Sequence, residues 1–472
     1  MILPRGWTIK PAQEICEKIQ DGTHFSPKNQ FSSGLYPYVT AKNVRPWGLD
    51  LDNLTYLEEK EHRPIYERSD TRKGDVLLVK DGVNAGDAAI NTIEGEISLL
   101  SSVCFLRPKK ILRSKFLRYY LQSPQCQAEL LGNLSGSAIR RIILRKIREL
   151  PIIVAPLEEQ DAIITELDIQ LSRLDEAVNT LQGIQAKLKQ ARASILKAAV
   201  EGRLVETEAE IARREKTDYE SGGLLLERIL YLRENSFRIA RQSLNNKIKY
   251  PRAFTPSQAK TNVLPEGWAI ATIDQLTNYF NGSFIVQGWS PKCLSREAYS
   301  SEWCVMKTTA IQPLRFDSGS NKALPQGLDP RPDLELTSGD LLITRAGPRS
   351  RVGICCLIEK TRSKVMLCDK AYRIRPSRLC LGKYLEIALN SQSASHSIEQ
   401  IKTGINDSGV NITQSGFLNL LIPLPPLSEQ NRIVDEVDRR FSVLVQVEAT
   451  VQTSLARCGL LRQAILKRAF GG

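Results

Sequence analysis

The amino-acid sequence predicts an α+β fold with an internal pseudo-two-fold repeat: two α+β domains in tandem, separated and joined by two long antiparallel coiled-coil helices. Three observations lead to this prediction. The same motifs occur twice along the 472 residues, in the same order. Each copy opens with short β-rich runs interrupted by Gly, Asn, Pro and Ser. Each copy closes with a long segment of heptad spacing.

Four pairs of motifs mark the repeat and set the expected domain boundaries. They are "LPRGW" at Leu3 and "LPEGW" at Leu264, "KGDVLLVKDG" at Lys73 and "SGDLLITRAG" at Ser338, "PLEEQ" at Pro156 and "PLSEQ" at Pro426, and "SILKAAVEG" at Ser194 and "AILKRAFGG" at Ala464. The predicted organisation is a first α+β domain at 1–155, a first long helix at 156–204, a charged helical linker at 205–262, a second α+β domain at 263–425 and a second long helix at 426–472.

Within each α+β domain, strands and short helices are expected to alternate. "GDVLLVKDGVNAGDAAI" and "GDLLITRAGPRSRVGICCLI" have the composition of strands joined by turns. "SKFLRYYLQSPQCQAELL" and "LGKYLEIALNSQSASHSIEQI" have helical apolar spacing. The glycines Gly74, Gly82, Gly339 and Gly347 recur in both copies, and turn geometry is sufficient to explain them. The recurring Trp7 and Trp268 are expected to have a packing role.

The two long helices are each expected to begin after a proline and to bury one apolar seam. Pro156 and Pro426 precede first turns that carry glutamates, which stabilise the positive end of a helix. Such a one-sided helix is not stable alone, so each seam needs a partner, and the other long helix is the nearest candidate. The predicted seam residues are Leu167, Leu171, Leu174, Leu181, Leu188, Val437, Phe441, Leu444, Val451 and Leu455, and polar residues interrupt the pattern at Gln185, Arg192, Glu448 and Arg462.

Charge and composition narrow the classes of function. A formal net charge of +13 indicates a polyanionic partner, and nucleic acid is favoured over an anionic membrane or charge that serves solubility alone. The ten scattered cysteines and three histidines show no zinc-ligand spacing. We find no apolar run long enough to span a membrane and no secretory leader pattern, so a cytoplasmic location is expected.

These motifs resemble the specificity subunits of type I restriction-modification systems over essentially the whole chain. The resemblance is carried by "LPIIVAPLEEQDAIITELD" and "LLIPLPPLSEQNRIVDEVD", each of which follows a domain with "LPxGW" and a "GDxL" strand, and by "SILKAAVEGRLV" before a "LLERI" helix. It implies two target-recognition domains, each of which reads one half of a split double-stranded DNA target. It also implies a non-catalytic subunit that binds two methyltransferase subunits and, for cleavage, restriction/translocase subunits. S-adenosylmethionine, ATP and Mg²⁺ would then belong to those partners, with no cofactor and no metal in this chain.

Residues that contact DNA are expected in polar loops beside strands, because base edges are read by Arg, Lys, Asn and Gln while Lys and Arg also hold phosphates. The predicted set in the first domain is Lys42, Asn43, Arg45, Lys80, Asn84, Arg140, Arg141 and Arg145. In the second domain it is Lys307, Gln312, Arg345, Arg349, Arg351, Asn406 and Asn411. For any single loop cation, simple solvation is the more common role. The basic run around Arg140 stands out, because its cations alternate with isoleucines.

The long helices are expected to act as a ruler between two half-sites read in the major groove. A helix over residues 157–200 would be roughly 65 Å long, while one turn of DNA spans about 34 Å, so a longer helix pair should lengthen the spacer. Two other classes of function stay open at this point. One is a stand-alone DNA methyltransferase or nuclease with fused recognition domains, although the chain lacks a GxxxxGK[ST] loop and an Asn-Pro-Pro-aromatic motif. The other is a non-catalytic coiled-coil scaffold, with a membrane-surface scaffold as a more distant case.

Overall fold

Two units of the same topology make up the protein. The computed structural model describes residues 3–28, 30–132, 141–243, 249–256, 264–280, 282–404 and 406–471. Unit 1 comprises Met1–Ile184 and Thr450–Gly472, and unit 2 comprises Gln185–Ala449. Each unit mixes strands with helices, so the α+β prediction is confirmed. The two long helices each contribute residues to both units, and the domain boundaries drawn from the sequence stay predictions.

Unit 1 contains eleven of the described strands and the start of the first long helix. The strands are β1 (Thr8–Pro11), β2 (Cys16–Asp21), β3 (Tyr36–Val39), β4 (Val44–Arg45), β5 (Gly48–Leu49), β6 (Thr55–Leu57), β7 (Val76–Val79), β8 (Ala88–Ile90), β9 (Ser98–Leu99), β10 (Val103–Pro108) and β11 (Pro151–Val154). The helices are α1 (Ala12–Ile15), α2 (Glu59–Ser69), α3 (Ser114–Leu121), α4 (Pro124–Gly132), α5 (Leu144–Arg148) and α6 (Leu157–Val200), the last of which continues into unit 2.

Unit 2 has a similar set of elements with two helices before it, and a 3-10 turn stands in the place that α2 has in unit 1. The helices are α7 (Glu208–Glu215), α8 (Gly222–Ser243), α9 (Ile273–Leu276), α10 (Gly382–Leu389), α11 (Gln392–Ile401), α12 (Gln414–Leu418) and α13 (Leu427–Gly471), which ends in unit 1. The strands are β12 (Ala269–Thr272), β13 (Ile285–Gln287), β14 (Cys304–Met306), β15 (Ile311–Gln312), β16 (Arg315–Phe316), β17 (Asn321–Ala323), β18 (Leu341–Thr344), β19 (Ala346–Gly347), β20 (Cys355–Leu357), β21 (Val365–Met366), β22 (Ala371–Ile374), β23 (Val410–Asn411) and β24 (Leu421–Leu424). Two 3-10 turns lie at Thr308–Ala310 and Pro332–Leu334.

Each sheet described in unit 1 has a counterpart in unit 2, and unit 2 has one further two-stranded pair, β19-β23. A four-stranded antiparallel sheet has the order β2-β10-β7-β8 in unit 1 and β13-β22-β18-β20 in unit 2. A three-stranded sheet has the order β6-β3-β9 in unit 1 and β17-β14-β21 in unit 2, with one antiparallel and one parallel pair in each. The pair β1-β11 corresponds to β12-β24, and β4-β5 corresponds to β15-β16. The motif repeat therefore reflects a repeat of topology.

The central strands "VLLV" and "LLIT" are buried throughout and almost entirely apolar, because both faces of the four-stranded sheet are covered. In unit 1, Val76 and Leu78 belong to a core shared with α3 and α6, while Leu77 and Val79 belong to a core shared with β3 and β9. In unit 2, alternate residues of β18 divide between two cores in the same way. Strands buried on both faces are expected to show such continuous apolar runs.

The recurring Gly-Asp motif is structural in both units. Asp75 is buried and accepts two hydrogen bonds of 2.9 Å from the guanidinium of Arg107. Asp340 is buried at the equivalent place, and its carboxylate lies 2.9 Å from the guanidinium of Arg375. The preceding glycines, Gly74 and Gly339, have φ of +90° and +87°, which confirms that turn geometry explains their recurrence.

Each long helix is fixed to its unit by the recurring Trp and Glu-Gln motifs. The indole of Trp7 donates to Glu159 (2.7 Å), and that of Trp268 donates to Glu429 (2.9 Å), so the predicted packing role of both tryptophans is confirmed. Gln160, fully buried in the first turn of α6, donates its amide to two backbone carbonyls and accepts from the N–H of Arg113.

Gln430 has the same role in α13. Its carboxamide accepts a hydrogen bond of 2.9 Å from the N–H of Leu381 and donates one of 3.0 Å to the carbonyl of Pro425. The proline and Glu-Gln sequence thus gives each helix a defined start and a defined attachment to the adjoining sheet.

Within each unit, segments of the two long helices run antiparallel. In unit 1, Asp175 of α6 pairs with Arg462 of α13, and the earlier Leu167 shares a core with the later Leu466. In unit 2, Arg192 lies 2.7 Å from Glu448, and the later Leu196 shares a core with the earlier Val437. The ten predicted seam residues are all buried or half-buried. Three of the four polar interruptions of the heptad pattern therefore form ion pairs, which favour one register over others.

The charged segment between the repeats is helical, as the sequence predicts. Helix α7 begins with a capping box in which Thr207 and Glu210 exchange hydrogen bonds. Leu225 and Ile229 of α8 are buried in the core of unit 2. Residues 249–256 contain no regular secondary structure, and residues 257–263 lie outside the described residues.

Candidate nucleic-acid interface

A polar cleft lies beside the three-stranded sheet in each unit. Cleft 1, in unit 1, has a volume of about 680 Å³. Its lining residues include Tyr38, Thr40, Lys42, Arg45, Thr55 and Ser102. Cleft 2, in unit 2, has a volume of about 250 Å³, with Val305, Lys307, Thr308, Lys322, Cys368 and Lys370 among its lining residues. Four predicted DNA contacts line cleft 1 or cleft 2: Lys42, Asn43, Arg45 and Lys307.

Strand register shows that the two clefts are equivalent. Tyr38 of β3 lies opposite Thr55 on one side and Ser98 on the other. Val305 of β14 lies opposite Lys322 and Met366 in the same arrangement. The N–H of Lys80 donates to the carbonyl of Ser102, and the N–H of Arg345 donates to that of Lys370, both at 2.9 Å.

The side chains at these matched positions differ between the clefts. The register makes Thr55 the counterpart of Lys322, and the backbone bonds make Ser102 the counterpart of Lys370. Thr40 and Lys307 each lie two residues beyond the matched Tyr38 and Val305. The same backbone frame therefore carries three hydroxyl groups in unit 1 and three ammonium groups in unit 2.

Among the predicted residues of cleft 1, two have side chains available to a ligand. Lys42 is exposed and Arg45 is half-buried, and no hydrogen bond is formed by either side chain within the described residues. Asn43 is only 2 % exposed; its amide oxygen accepts from Thr40, and its amide nitrogen donates to two backbone carbonyls. A base contact by Asn43 would require these bonds to break, so its observed role is to hold the turn that presents Lys42.

The predicted residues Lys80, Asn84, Arg141 and Arg145 lie near the β7–β8 connection or on α5. Lys80 is buried, with its ammonium 3.0 Å from Asp21. Burial raises the pKa of Asp21, but hydrogen bonds from Lys80 and Arg68 outweigh it, and the net shift is downward. Asn84 is half-buried, Arg141 is exposed and forms a backbone bridge with Asp81, and Arg145 is exposed and paired with Glu149. Arg140 lies outside the described residues.

In unit 2 several of the predicted side chains already form hydrogen bonds within the protein. Arg351 donates to the backbone carbonyls of Thr308 and Ile311 at 2.9 and 2.8 Å, which clamps the loop that borders cleft 2. Gln312 donates to the carbonyl of Thr309 (2.6 Å). Arg345 donates to the carbonyl of Asp369 (2.7 Å).

Arg349 lies in a separate groove of about 720 Å³, where it pairs with Glu399 and with Asp407 (2.8 Å). The predicted residues Asn406 and Asn411 are exposed on the neighbouring segment. Contact of any of the predicted residues with DNA stays a prediction.

Two lysines of cleft 2, Lys322 and Lys370, are absent from the set predicted from the sequence. Both are exposed; Lys322 lies on β17, and Lys370 lies just before β22. Neither lies in a recurring motif or in a run of basic residues. The pairing of β17 with β14 locates Lys322, and the backbone bond from Arg345 locates Lys370; both require the structure.

The described residues offer little for other chemistry. No group of three or more His, Cys, Asp or Glu side chains in the described ranges is arranged to hold a metal ion. The described helices include none with the length and apolar character needed to cross a membrane. The cysteines are all free, and burial raises the pKa of the Cys16 and Cys380 thiols to about 12 each.

The matches to known proteins are all of one kind. The family model described as "Type I restriction modification DNA specificity domain" matches residues 4–190. The chain is 31% identical over 293 residues to the type I restriction enzyme EcoEI specificity subunit of Escherichia coli, an alignment that covers 61% of this chain and 46% of that protein. The alignment thus spans about half of the length of the EcoEI subunit.

Two further likenesses extend over the full length of this chain. It is 25% identical over 484 residues to the type I restriction enzyme EcoKI specificity subunit of Escherichia coli strain K12, with 100% of this chain and 89% of that protein covered. A solved structure titled as the structural basis of complex assembly and conformational transition of the type I R-M system has the same fold, with a TM-score of 0.60, 18% identity, and coverage of 100% of this chain and 99% of that one. The family model, the two relatives and the solved structure thus agree: in sequence and in fold, the chain is similar to type I restriction-modification DNA specificity subunits.

Proposed function

We propose that this chain is the DNA sequence-recognition subunit of a type I restriction-modification complex. Each unit reads one half of a split double-stranded target in the major groove, and the chain itself carries out no catalysis. It docks two methyltransferase subunits and, where cleavage occurs, restriction/translocase subunits. S-adenosylmethionine, ATP and Mg²⁺ are bound by those partners.

One observation supports this proposal most directly: the two units share a backbone frame but present different polar side chains in equivalent clefts. Thr40, Thr55 and Ser102 in cleft 1 correspond to Lys307, Lys322 and Lys370 in cleft 2. Cations hold DNA at its phosphates, and donors and acceptors read it at its base edges, while the frame sets only where these groups lie. Two frames with different side chains therefore suit two DNA stretches that are contacted differently.

The cations of cleft 1 are the proposed readers of the first half-site. Lys42 and Arg45 line the cleft with no hydrogen bond from their side chains to other described residues. Arginine can donate two parallel hydrogen bonds to a guanine edge, a contact worth about 1–3 kcal/mol of discrimination. The hydroxyls of Thr40, Thr55 and Ser102 add short donors and acceptors to the same surface.

The experiment is methylome sequencing of a host that expresses the chain with its methyltransferase subunit. The unaltered chain is expected to yield an asymmetric split motif. Replacing Arg45 by Gln, the residue at the matching place before the proline of unit 2, should change or relax one half-site and leave the other intact. The control is Lys10→Thr, an exposed lysine on β1 away from cleft 1. Changes in both half-sites, or none with Arg45→Gln, would contradict the assignment of cleft 1.

Two further readouts separate this proposal from its alternatives. The purified chain alone should transfer no label from a methyl donor to DNA, and transfer would favour a stand-alone methyltransferase. The predicted role of the long helices in setting the spacer stays a prediction. An unchanged spacer in a chain with one heptad inserted after Leu181 and another after Leu455 would refute it.

A further inference from the structure

Three lysines line cleft 2. Lys307 is half-buried, and Lys322 and Lys370 are exposed. Within the part of the chain that the structure describes, none of the three ammonium groups forms a hydrogen bond or an ion pair. This sets them apart from Arg349, Arg351 and Arg345, whose guanidinium groups are bound by protein oxygens. Three unneutralised cations around one small cleft repel each other unless an anion joins them.

The surroundings of cleft 2 offer little negative charge to offset these lysines. The one carboxylate among the lining residues is that of Asp369. The other lining side chains are neutral, among them Ser290, Cys293 and Thr308. Burial raises the pKa of the Cys293 thiol, and the nearby ammonium of Lys322, which lines the same cleft, opposes that rise.

The fold does not require lysines at these positions. In unit 1 the same frame carries Thr40, Thr55 and Ser102, with equivalent strand register and equivalent backbone hydrogen bonds. If the sheet needed lysines at these positions for its stability, the equivalent sheet of unit 1 would need them too, and it has none there. The lysines therefore serve the ligand that unit 2 binds rather than the fold of unit 2.

We propose that cleft 2 is a phosphate-binding site, in which Lys307, Lys322 and Lys370 together hold a phosphate of the DNA backbone beside the half-site that unit 2 reads. This inference rests on the proposed function. Lysine binds phosphate as a flexible point charge, so the contact positions DNA without reading its sequence. The small volume of about 250 Å³ suits a phosphate group rather than a base pair edge with its sugar.

The test uses the residues of unit 1 as replacements in unit 2. The variant Lys307→Thr/Lys322→Thr/Lys370→Ser places the hydroxyls of cleft 1 on a frame known to accept them. DNA affinity of the complex with its methyltransferase subunits is measured across salt concentrations. The slope of log K against log salt should become shallower by about 0.9, the contribution of one phosphate contact. Affinity should fall for all sequences alike, and the methylated motif should not change.

The control is Lys360→Thr, an exposed lysine of unit 2 that does not line cleft 2. Its salt slope should match that of the unaltered chain. An unaltered slope in the triple variant would overturn the inference, and so would a changed motif, because that would make the lysines base readers. If the unaltered complex fails to bind DNA with sequence preference, the proposed function itself is wrong. That result differs from a failure of the phosphate site alone, in which the unaltered complex binds DNA but the triple variant has the same salt slope.

Inorganic phosphate distinguishes a DNA phosphate from a small anion. At matched ionic strength, the unaltered chain with its partners should show no saturable binding of inorganic phosphate, because a single free phosphate lacks the contacts that the rest of the duplex provides. Saturable binding that the triple variant loses would assign cleft 2 to a small anion and overturn the assignment to DNA.

Discussion

The same tryptophan-glutamate contact is open to solvent in unit 1 and buried in unit 2. Trp7 and Glu159 are half-buried and exposed, respectively, while Trp268 is 8 % and Glu429 0 % exposed. The hydrogen bonds themselves are alike, at 2.7 and 2.9 Å. The difference arises from α7 and α8, which have no equivalent in the unit 1 repeat. The N–H of Glu208 donates to Glu429, and Leu225 shares a core with Trp268.

This comparison shows that the segment between the repeats is part of unit 2 rather than a passive connection. It covers the attachment point of α13 and adds a buried ion pair, Arg233 with Asp274, to the unit. The cost of covering a charged carboxylate is offset only if every hydrogen-bonding position is filled. The stability of unit 2 should therefore depend on a few buried polar contacts, while unit 1 lacks this covering segment.

The largest effect is expected from Arg233→Met. The guanidinium of Arg233 donates to the Asp274 carboxylate (2.6 Å) and the Tyr250 hydroxyl (2.8 Å), and it lies 3.7 Å from the centre of the Phe284 ring. Removing it leaves a buried carboxylate without its cation, which costs about 3–5 kcal/mol. Hydrogen exchange measured by mass spectrometry should show faster exchange across unit 2 and no change in unit 1.

The matched control is Arg238→Met on the same helix. Arg238 is exposed and pairs with Glu234 one turn away, a contact worth only about 0.3–0.5 kcal/mol. Equal exchange in the Arg233 and Arg238 variants would show that α8 does not stabilise unit 2.

A smaller and unequal loss is expected from Trp268→Phe and Trp7→Phe. Each replacement removes an indole N–H that bonds a carboxylate, a bond worth about 1.5–3 kcal/mol when the acceptor is charged and buried. Glu429 cannot recover that bond from water, whereas Glu159 can. Pulse proteolysis with mapped cleavage sites should therefore show a loss of about 2 kcal/mol in unit 2 and less than about 1 kcal/mol in unit 1. Equal losses would mean that burial of the contact has no energetic consequence.

Much of this frame could be predicted from the sequence because it depends on local or repeating patterns. The heptad spacing located the long helices, and the recurrence of Trp7 and Trp268 indicated packing. The partner of Trp7 could not be predicted, because Glu159 lies 152 residues away. A polar residue in a loop can either stabilise a turn or bind a ligand, and the sequence does not show which. The structure shows that the side chain of Asn43 holds a turn, whereas that of Arg45 does not.

The smallest effect is the pH dependence that the buried Glu429 adds to unit 2. Burial raises the pKa of Glu429, and the N–H groups of Glu208 and Trp268 and the charge of Arg432 only partly oppose this shift, while the charge of Glu208 adds to it. A carboxyl group with a raised folded-state pKa contributes stability below its unfolded pKa of about 4.3 and loses that contribution as pH rises through the folded value.

Glu429→Gln should therefore gain stability relative to the unaltered chain as pH rises from about 4 to 7, by about 1.4 kcal/mol for each unit by which the pKa is raised. Urea unfolding at several pH values, followed by a probe in unit 2, measures the difference. Glu159→Gln controls for the loss of a carboxylate from the first turn of a long helix. A stability difference for Glu429→Gln that stays constant with pH would mean that the pKa of Glu429 is the same in the folded and unfolded states. In that case α7 would leave the carboxyl group hydrated.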